Sequence, residues 1–226
     1  MPSLAERYPG PASLPERLPV FPLRGAILLP RASLPLQVFE PRYLAMLDDV
    51  IAANRLLGII QPDGGSEESP AGKTGTLRKV GTAGRVVAFQ ELDDGRLLVT
   101  LTGIARFEVL GEIESAKPYR TVEISCTRFA ADFEVGRGED EVDRQALLKA
   151  LKAYLEARNL RVDWGAVSRS STESLVNSLS IVSPYGTEEK QALLEAVDLK
   201  SRAEMLVALA EMELAAGSGG SGSTLQ

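Results

Sequence analysis

A chain of 226 residues in which 44% of the residues are hydrophobic is long enough to bury a core without disulfides or metal ions. Its formal net charge of -6 argues against nucleic acid as a partner, because phosphate binding requires a dense basic surface. The sequence has no histidine, which excludes serine–histidine and cysteine–histidine catalysis and every metal site with an imidazole ligand.

The only cysteine, Cys126, has no partner for a disulfide within the chain and lies in the alternating apolar stretch Val122–Phe129, which predicts a buried thiol. No apolar run approaches the roughly 20 residues that a membrane span requires. Residues 1–19 also lack the apolar segment of a signal peptide. We therefore expect a cytoplasmic protein that binds no membrane and holds no cofactor.

The N-terminal part of the chain is rich in proline. Residues 1–17 contain four prolines and predict a disordered arm, so that order begins at Leu18. Further prolines interrupt the apolar stretch that follows, and proline cannot donate to a sheet ladder. We therefore expect short edge strands around Val20–Leu23 and Leu34–Phe39. Pro41 then begins a helix, at the position where its missing N–H costs nothing.

The pattern from Thr76 to Phe129 is typical of antiparallel strands. Apolar residues alternate on both sides of Asp94-Gly95, which predicts a tight hairpin turn. Before this region, Leu56–Ile60 predicts a short buried strand. Gln61–Thr76 predicts a long flexible loop, because it is rich in Gly, Ser, Pro and Glu. Several short strands at this spacing indicate a small barrel or a sandwich.

Helical periodicity replaces the strand pattern after Phe129. Residues 130–138 predict a connector in which Asp132 and Glu134 are solvated charges. The acidic residues at 139–143 begin a helix whose basic residues lie towards its end, as the helix dipole favours.

Capping residues mark the later helices. Ser170 and Glu173 match a capping box, and Thr187 and Asp198 are predicted to cap the last two helices. The Gly/Ser-rich residues 217–226 predict a flexible tail.

The predicted fold class is α+β, with an N-terminal small antiparallel β pseudo-barrel that contains one helix, followed by a C-terminal helical bundle. The predicted organisation is a disordered arm at 1–17, a β-rich subdomain at 18–129, a helical subdomain at 130–216 and a tail at 217–226.

Candidate catalytic motifs have simpler explanations. Gly72-Lys73-Thr74 matches the end of a phosphate-binding loop, but Glu67 stands where that loop requires glycine. Asp93 and Asp94 are explained by the turn, and the acids at 139–143 by the helix dipole. The sequence therefore predicts no catalytic residue and no metal site. An enzyme with a carboxylate or lysine site stays open as an alternative.

Several strings resemble the N-terminal substrate-binding domain of the Lon protease family. The most specific string consists of Phe39, Glu40, Pro41, Arg42 and Tyr43. Further similar strings are Leu18–Leu23, Ile27–Pro30, Leu34–Leu36, Val80–Thr82, Asp94–Arg96, Leu101–Gly103, Arg106-Phe107, Pro118-Tyr119, Glu189–Gln191, Leu193–Glu195 and Asp198-Leu199 with Arg202. The resemblance covers roughly Leu18 to Glu213. One departure is Pro30-Arg31, where the family usually has Pro-Gly.

The resemblance implies a non-catalytic module that binds protein or peptide. A full Lon protease continues into an ATPase and a protease domain, so the resemblance implies a stand-alone bacterial member of the family. We expect the five most specific residues to be architectural. Phe39 and Tyr43 would close the core at a strand-to-helix junction, and Glu40 and Arg42 would brace it electrostatically.

The candidate peptide-binding strip consists of Leu23, Ile27, Leu29, Leu34 and Leu36. Core packing is the alternative explanation for these side chains, and we favour it. A second hypothesis is an adaptor that docks to one partner machine, such as an ATP-dependent protease. Its docking handle would be the loop Gln61–Thr76 or the tail at 217–226.

Overall fold

The structure is a computed structural model that describes residues 3–64, 75–158 and 161–219. The chain divides into two compact units. The first consists of Met1–Val135 and Pro184–Leu194, and the second of Gly136–Ser183 and Glu195–Gln226. The first unit is therefore discontinuous in sequence.

The helices and strands follow one another as α1 (Leu4–Arg7), β1 (Arg17–Pro22), β2 (Ser33–Val38), α2 (Pro41–Ala52), β3 (Leu56–Asp63), β4 (Thr76–Glu91), β5 (Leu97–Ile113), β6 (Arg120–Ser125), α3 (Arg144–Ala157), α4 (Trp164–Arg169), α5 (Thr172–Val182), α6 (Thr187–Glu195) and α7 (Leu199–Gly219). Short 3₁₀ helices occupy Pro11–Ser13, Thr127–Phe133 and Glu139–Glu141.

The strands of the first unit form a small barrel. Five strands close a ring in the order β5-β4-β3-β1-β6, because β5 pairs with β6, and β2 extends the sheet beyond β5. The predicted α+β class, a small β-barrel with a helix followed by C-terminal helices, is thus confirmed. One pair departs from the antiparallel prediction, since β1 and β3 are parallel, with Val20 opposite Gly58. Here β2 and α2 form the crossover that parallel strands require.

β1 is not the edge strand that its prolines predict. Its residues Arg17–Val20 pair with β6, and Val20–Pro22 pair with β3. Only Val20 belongs to both pairings, so each half of β1 has a strand partner on one side, as far as the described residues show. Pro19 and Pro22 are tolerated because neither half has to donate to two neighbours. The edge strand predicted near 34–39 is confirmed as β2, at one end of the sheet.

The N-terminal segment is packed, which corrects the prediction of a disordered arm for residues 3–17. α1 begins with a capping box between Ser3 and Glu6. Tyr8 and Leu14 are buried in the barrel core, and the Tyr8 hydroxyl accepts a hydrogen bond from Arg85 at 2.8 Å. Burial of these side chains offsets the entropy lost when the segment becomes ordered.

The barrel core surrounds Phe107, which is fully buried. Gly81 on β4 lies so close that an added Cβ would approach the Phe107 ring to 2.7 Å. Cys126 belongs to the same cluster, so its predicted burial is confirmed. The hairpin turn is also confirmed, because Gly95 adopts a φ of 79° between β4 and β5.

The second unit consists of helices. α3 packs against α7 through Ala150, Tyr154 and Ala210. A buried hydrogen bond of 3.0 Å from Arg202 to Asn177 joins α7 to α5. Within the second unit, α7 therefore contacts both α3 and α5.

The helix caps agree in part with their predictions. Asp198 accepts a hydrogen bond from the Ser201 backbone at 2.7 Å, as expected of an N-cap. At α5 the cap is Ser171 rather than Ser170, because the Ser171 hydroxyl accepts from the Ser174 backbone. The Glu173 carboxylate accepts instead from the Gly136 backbone at 3.1 Å.

Two predicted flexible segments lie mainly outside the described residues. β3 continues to Asp63 and β4 begins at Thr76, so the predicted loop is shorter than Gln61–Thr76. Residues 65–74, which include Glu67 and Gly72-Lys73-Thr74, are not described. α7 extends to Gly219, and residues 220–226 of the predicted tail are not described.

Candidate functional site

The predicted peptide-binding strip is not one exposed surface. Ile27 and Leu29 are 1% and 0% exposed, and Leu34 is buried as well. Leu23 and Leu36 are half-buried. Core packing, the favoured explanation, accounts for the three buried side chains. Because they are buried, they are not accessible to a ligand in this conformation.

The motif at 39–43 surrounds the start of α2. Tyr43 is buried and packs on Phe21, with ring centroids 4.1 Å apart. Arg42 lies over the Tyr43 ring, and its Nε donates to Glu40 at 2.9 Å, so the predicted electrostatic brace is present. Phe39, in contrast, is 63% exposed.

The predicted core-closing role of Phe39 is therefore wrong. Phe39 follows Val38, which is only 2% exposed. Successive side chains of an extended backbone point to opposite faces, so burial of Val38 turns Phe39 outwards.

Asp132 is buried, which corrects the prediction of a solvated loop charge. The Arg106 backbone N–H and Nε both donate to Asp132 Oδ2, at 2.9 and 2.8 Å, and Nη2 donates to Oδ1 at 2.7 Å. Arg106 Nη1 donates to the Leu194 carbonyl at 3.1 Å, and the guanidinium stacks on Phe129. Glu134 is exposed, as predicted.

This buried pair has an architectural role. Its donors and acceptors are bonded within the first unit, where they join β5, the 3₁₀ helix at Thr127–Phe133 and α6. A buried ion pair with this many hydrogen bonds fixes one geometry rather than holding a ligand. The Arg106-Phe107 string of the family resemblance therefore coincides with a structural joint.

Gln61 forms a second buried joint to α6. Its carbonyl oxygen accepts from the Gly25 backbone at 2.8 Å. Its amide donates to the Thr187 carbonyl at 3.1 Å and to the Gln191 side chain at 3.0 Å. Gln191 in turn donates to the Val80 carbonyl at 3.3 Å. The only local signal for this joint is a glutamine that continues the apolar run of β3.

Cys126 and Lys190 are nucleophilic residue types whose pKa values are displaced, so each is a candidate catalytic nucleophile. Burial, assisted by the charge of Asp132, raises the pKa of the Cys126 thiol to about 12, so the thiol stays protonated. Burial lowers the pKa of the Lys190 amine to about 8. Lys190 is 3% exposed and Cys126 is 5% exposed, so neither reaches a substrate in this conformation.

A polar cluster around the Asp49 carboxylate joins α2 to the segment just before β6. Asp49 accepts hydrogen bonds from Lys117 at 2.8 Å and from the Tyr119 hydroxyl at 2.5 Å, and both lower its pKa. Burial and the hydrogen bond to Asp49 raise the pKa of Tyr119 to about 12.

Within residues 3–64, 75–158 and 161–219, no three His, Cys, Asp or Glu residues are placed to hold a metal ion. No helix in the same ranges is both long and apolar enough to cross a membrane.

Among the described residues of the first unit, four of the six large exposed apolar side chains lie at one end of its sheet, and the other two are Leu110 and Val135. We call this end of the sheet the sheet extension, and it comprises β2, residues 97–102 of β5 and residues 86–91 of β4. Its large exposed apolar side chains are Val87, Phe89 and Leu98, at 45%, 48% and 41%, followed by Phe39 directly after β2. Sequence reasoning missed them, because aromatic and aliphatic residues in alternating strands are usually core.

The register distributes these side chains over both faces of the sheet, because Leu98 and Val99 are neighbours on one strand and point to opposite faces. Leu98 lies opposite Gln37 on one side and Gln90 on the other. Phe89 lies opposite Val99. The sheet extension therefore exposes apolar side chains on both of its faces, with Gln37 and Gln90 beside Leu98, and exposed apolar side chains of this kind are typical of sites that bind other proteins.

Comparison with known proteins identifies one family. Residues 17–211 match the family model of the ATP-dependent protease La (LON) substrate-binding domain. A Lon protease of Anaeromyxobacter dehalogenans is 29% identical over 203 residues, which are 87% of this chain and 23% of that protein. Lon protease 2 of Myxococcus xanthus is 26% identical over 203 residues, 87% of this chain and 24% of that protein. The chain thus spans about a quarter of the length of these curated relatives.

Solved structures share the fold. The crystal structure of a Lon N-terminal domain protein from Xanthomonas campestris has a TM-score of 0.60 at 24% identity, covering 85% of this chain and 97% of that one. The N-terminal domain of a Mycobacterium avium complex Lon protease has a TM-score of 0.63 at 20% identity, covering 86% and 98%.

Proposed function

Because this chain belongs to the family of Lon substrate-binding domains, we propose that it is a non-catalytic module that binds protein or peptide, in particular unfolded polypeptide segments. The observation that carries this proposal is the set of exposed apolar side chains on the sheet extension, which includes Phe39, Phe89 and Leu98 at 63%, 48% and 41% exposure. We place this role in the cytoplasm, as the sequence predicts.

The chemistry of the surface fits unfolded chains better than folded proteins. Unfolded segments expose apolar side chains that a folded partner has already buried. Burying apolar surface contributes about 25 cal/mol per Å², so a few such contacts support weak, reversible binding. The polar side chains around them, Gln37 and Gln90, keep the surface hydrated when it is empty.

A permanently unfolded probe tests the proposal. Reduced, carboxymethylated lactalbumin would be titrated into the full chain by fluorescence anisotropy, with the native, disulfide-intact form as the comparison. We expect the unfolded form to bind and the native form not to bind. Equal binding of both forms, or none of either, contradicts the proposal.

Matched variants locate the surface. We expect the combined change Phe39→Ser, Phe89→Ser and Leu98→Ser to weaken binding roughly tenfold or more, which corresponds to about 1.4 kcal/mol. The control is Val182→Ser with Met212→Ser, which also removes exposed apolar side chains, at 72% and 68%, but from the second unit. Loss of binding in the control variant alone would show that the binding surface lies on the second unit.

The adaptor hypothesis predicts a different outcome of pull-down from a lysate. It predicts one partner in stoichiometric amount, lost when residues 65–74 or 220–226, the parts of the two proposed docking handles that lie outside β3, β4 and α7, are deleted. The substrate-binding proposal predicts a mixed set of partly unfolded proteins that is unaffected by these deletions.

A further inference from the structure

The sheet extension has two open edges, and they differ in how they are protected. β2 is the outermost strand and, among the described strands, pairs with β5 alone. Pro35 lies in the middle of β2 and has no N–H to offer to a new strand. Proline on an edge strand is a common protection against unwanted pairing.

The second open edge belongs to the end of β4. β3 accompanies β4 only as far as the pair Leu56 and Arg85. Beyond this pair the Val86 N–H donates to the Arg55 carbonyl at 2.8 Å, and Arg55, with a φ of 64°, turns the chain away. Along residues 87–91, the only strand partner among the described residues is therefore β5.

The burial pattern agrees with a free edge. Val87, Ala88, Phe89, Gln90 and Glu91 are all exposed. A strand within a sheet normally alternates between buried and exposed side chains. Five exposed residues in succession mean that this stretch lies free on both faces as well as along its edge. It contains neither the proline nor the lysine that usually protect such edges.

We propose, on the basis of the proposed function, that residues 87–91 of β4 receive an extended segment of an unfolded polypeptide, which adds to the sheet as one more strand. Pairing through the backbone is indifferent to the partner's sequence, and those side chains of the partner that lie on the face of Phe89 contact its exposed ring. Five residues correspond to about 17 Å of extended chain. The partner is therefore a short, apolar segment without proline.

Charge sets a further preference of the edge. Glu91, Asp93 and Asp94 lie at its end, where Arg96 pairs with Asp94 at 2.6 Å. The remaining negative charge favours a partner with a basic residue beside its apolar segment. Acidic segments are disfavoured by repulsion, and this effect weakens with salt.

N-methylated peptides separate backbone pairing from side-chain contact. The probe is a fluorescein-labelled peptide of about eight residues that alternates threonine with valine or phenylalanine and has lysine at both ends. Two variants carry N-methyl groups on either the odd or the even residues, which removes backbone donors and keeps the side chains. We expect at least one variant to bind roughly tenfold more weakly than the parent.

The outcomes distinguish this inference from the proposed function. If both methylated peptides bind as tightly as the parent, backbone pairing is overturned while binding of polypeptide stands. If neither the parent peptide nor unfolded lactalbumin binds, the proposed function fails and the inference fails with it. If unfolded lactalbumin binds and the parent peptide does not, the inference alone is overturned.

Hydrogen exchange of the full chain locates the edge. We expect the parent peptide to slow the exchange of backbone amides at 87–91 and to leave Ser33–Val38 of β2 unchanged. Slowing at β2 instead would overturn the assignment. Slowing at 87–91 without peptide, increasing with protein concentration, would show that a second copy of this chain occupies the edge and would also overturn the inference.

Discussion

At the scale of single residues, Asp132 shows how a charge in an apparent connector becomes part of the core. It accepts hydrogen bonds from three nitrogens of Arg106, and burial together with the Asp132 charge raises the pKa of Cys126. Removing one member of a buried pair leaves the other charge without compensation, which costs more than the pair contributes.

We therefore expect Asp132→Ala to lower the free energy of unfolding by about 3–5 kcal/mol. The double variant Asp132→Leu with Arg106→Met should lose less, because no charge then remains buried. Urea denaturation of each variant measures this, with Glu114→Ala, at an exposed position, as the control. Equal small losses for Asp132→Ala and the control would mean that Asp132 is solvated.

Gly103 is a second residue whose role depends on a close approach. A Cβ at this position would lie 2.1 Å from the Leu29 carbonyl oxygen. The Gly103 backbone also donates to Ala32 at 2.9 Å and accepts from Arg31 at 2.8 Å, so neither segment is free to move away. The same strand offers a control, because a Cβ at Gly111 would meet nothing within 4 Å.

We expect Gly103→Ala to destabilise the protein by about 1–3 kcal/mol through overpacking. Gly111→Ala should be neutral or slightly stabilising, because alanine reduces the entropy of the unfolded chain. Thermal unfolding followed by circular dichroism compares the two variants. A loss of similar size in both would point to strand propensity rather than close approach.

At the scale of elements, α6 is a helix in which two of the four buried residues are polar. Lys190 and Gln191 are buried beside Leu193 and Leu194. Burial lowers the pKa of Lys190 to about 8 from its ordinary value of 10.5. Between these values the unfolded chain holds a proton that the folded chain has released, so stability rises with pH.

We accordingly expect this contribution to stability to be smallest below pH 8 and to increase towards pH 10.5. Cys126 and Tyr119 act in the opposite sense, because their pKa values are raised to about 12 and their contribution is lost as pH rises. Comparing Lys190→Met with the unchanged chain between pH 7 and 10 by urea denaturation isolates the lysine. The control is Lys200→Met, at an exposed position.

For Lys190→Met, the difference in the free energy of unfolding from the unchanged chain should shrink as the pH rises. Methionine keeps the apolar stem and removes the amine, so the variant lacks the cost of burying a charge. A difference that stays constant with pH would mean that Lys190 titrates normally.

At the scale of the whole molecule, the chain leaves the first unit at Val135 and contributes to it again from Pro184. Pro184–Leu194 belongs with Met1–Val135, and α6 supplies partners to Gln61 and Arg106. Both are buried, so loss of α6 leaves their polar groups without these partners.

We expect a fragment that ends at Val135 to lose about 3 kcal/mol or more of stability, since each orphaned buried polar group costs about 1–3 kcal/mol. Urea denaturation of this fragment with and without a synthetic 184–195 peptide measures the effect. The peptide should restore part of the loss. An unchanged midpoint for the fragment alone would make α6 dispensable to the barrel.

Features that depend on neighbouring residues could be predicted from the sequence. Pro41 marks the start of α2, Asp94-Gly95 forms the hairpin turn, and Asp198 caps α7. In each case the signal and the structure lie within a few residues, where backbone geometry decides. The motif strings likewise identified the family, because the order of residue types is retained along the chain.

Contacts between segments that are distant in sequence became apparent only in the folded chain. Asp132 lies 26 residues from Arg106, and Gln61 lies 130 residues from Gln191, so neither partner is marked locally. The outward position of Phe39 and the free edge at the end of β4 follow from where neighbouring strands end. Hydrophobic patterning predicts that a strand has a buried face, but pairing across long separations determines which part of it remains open.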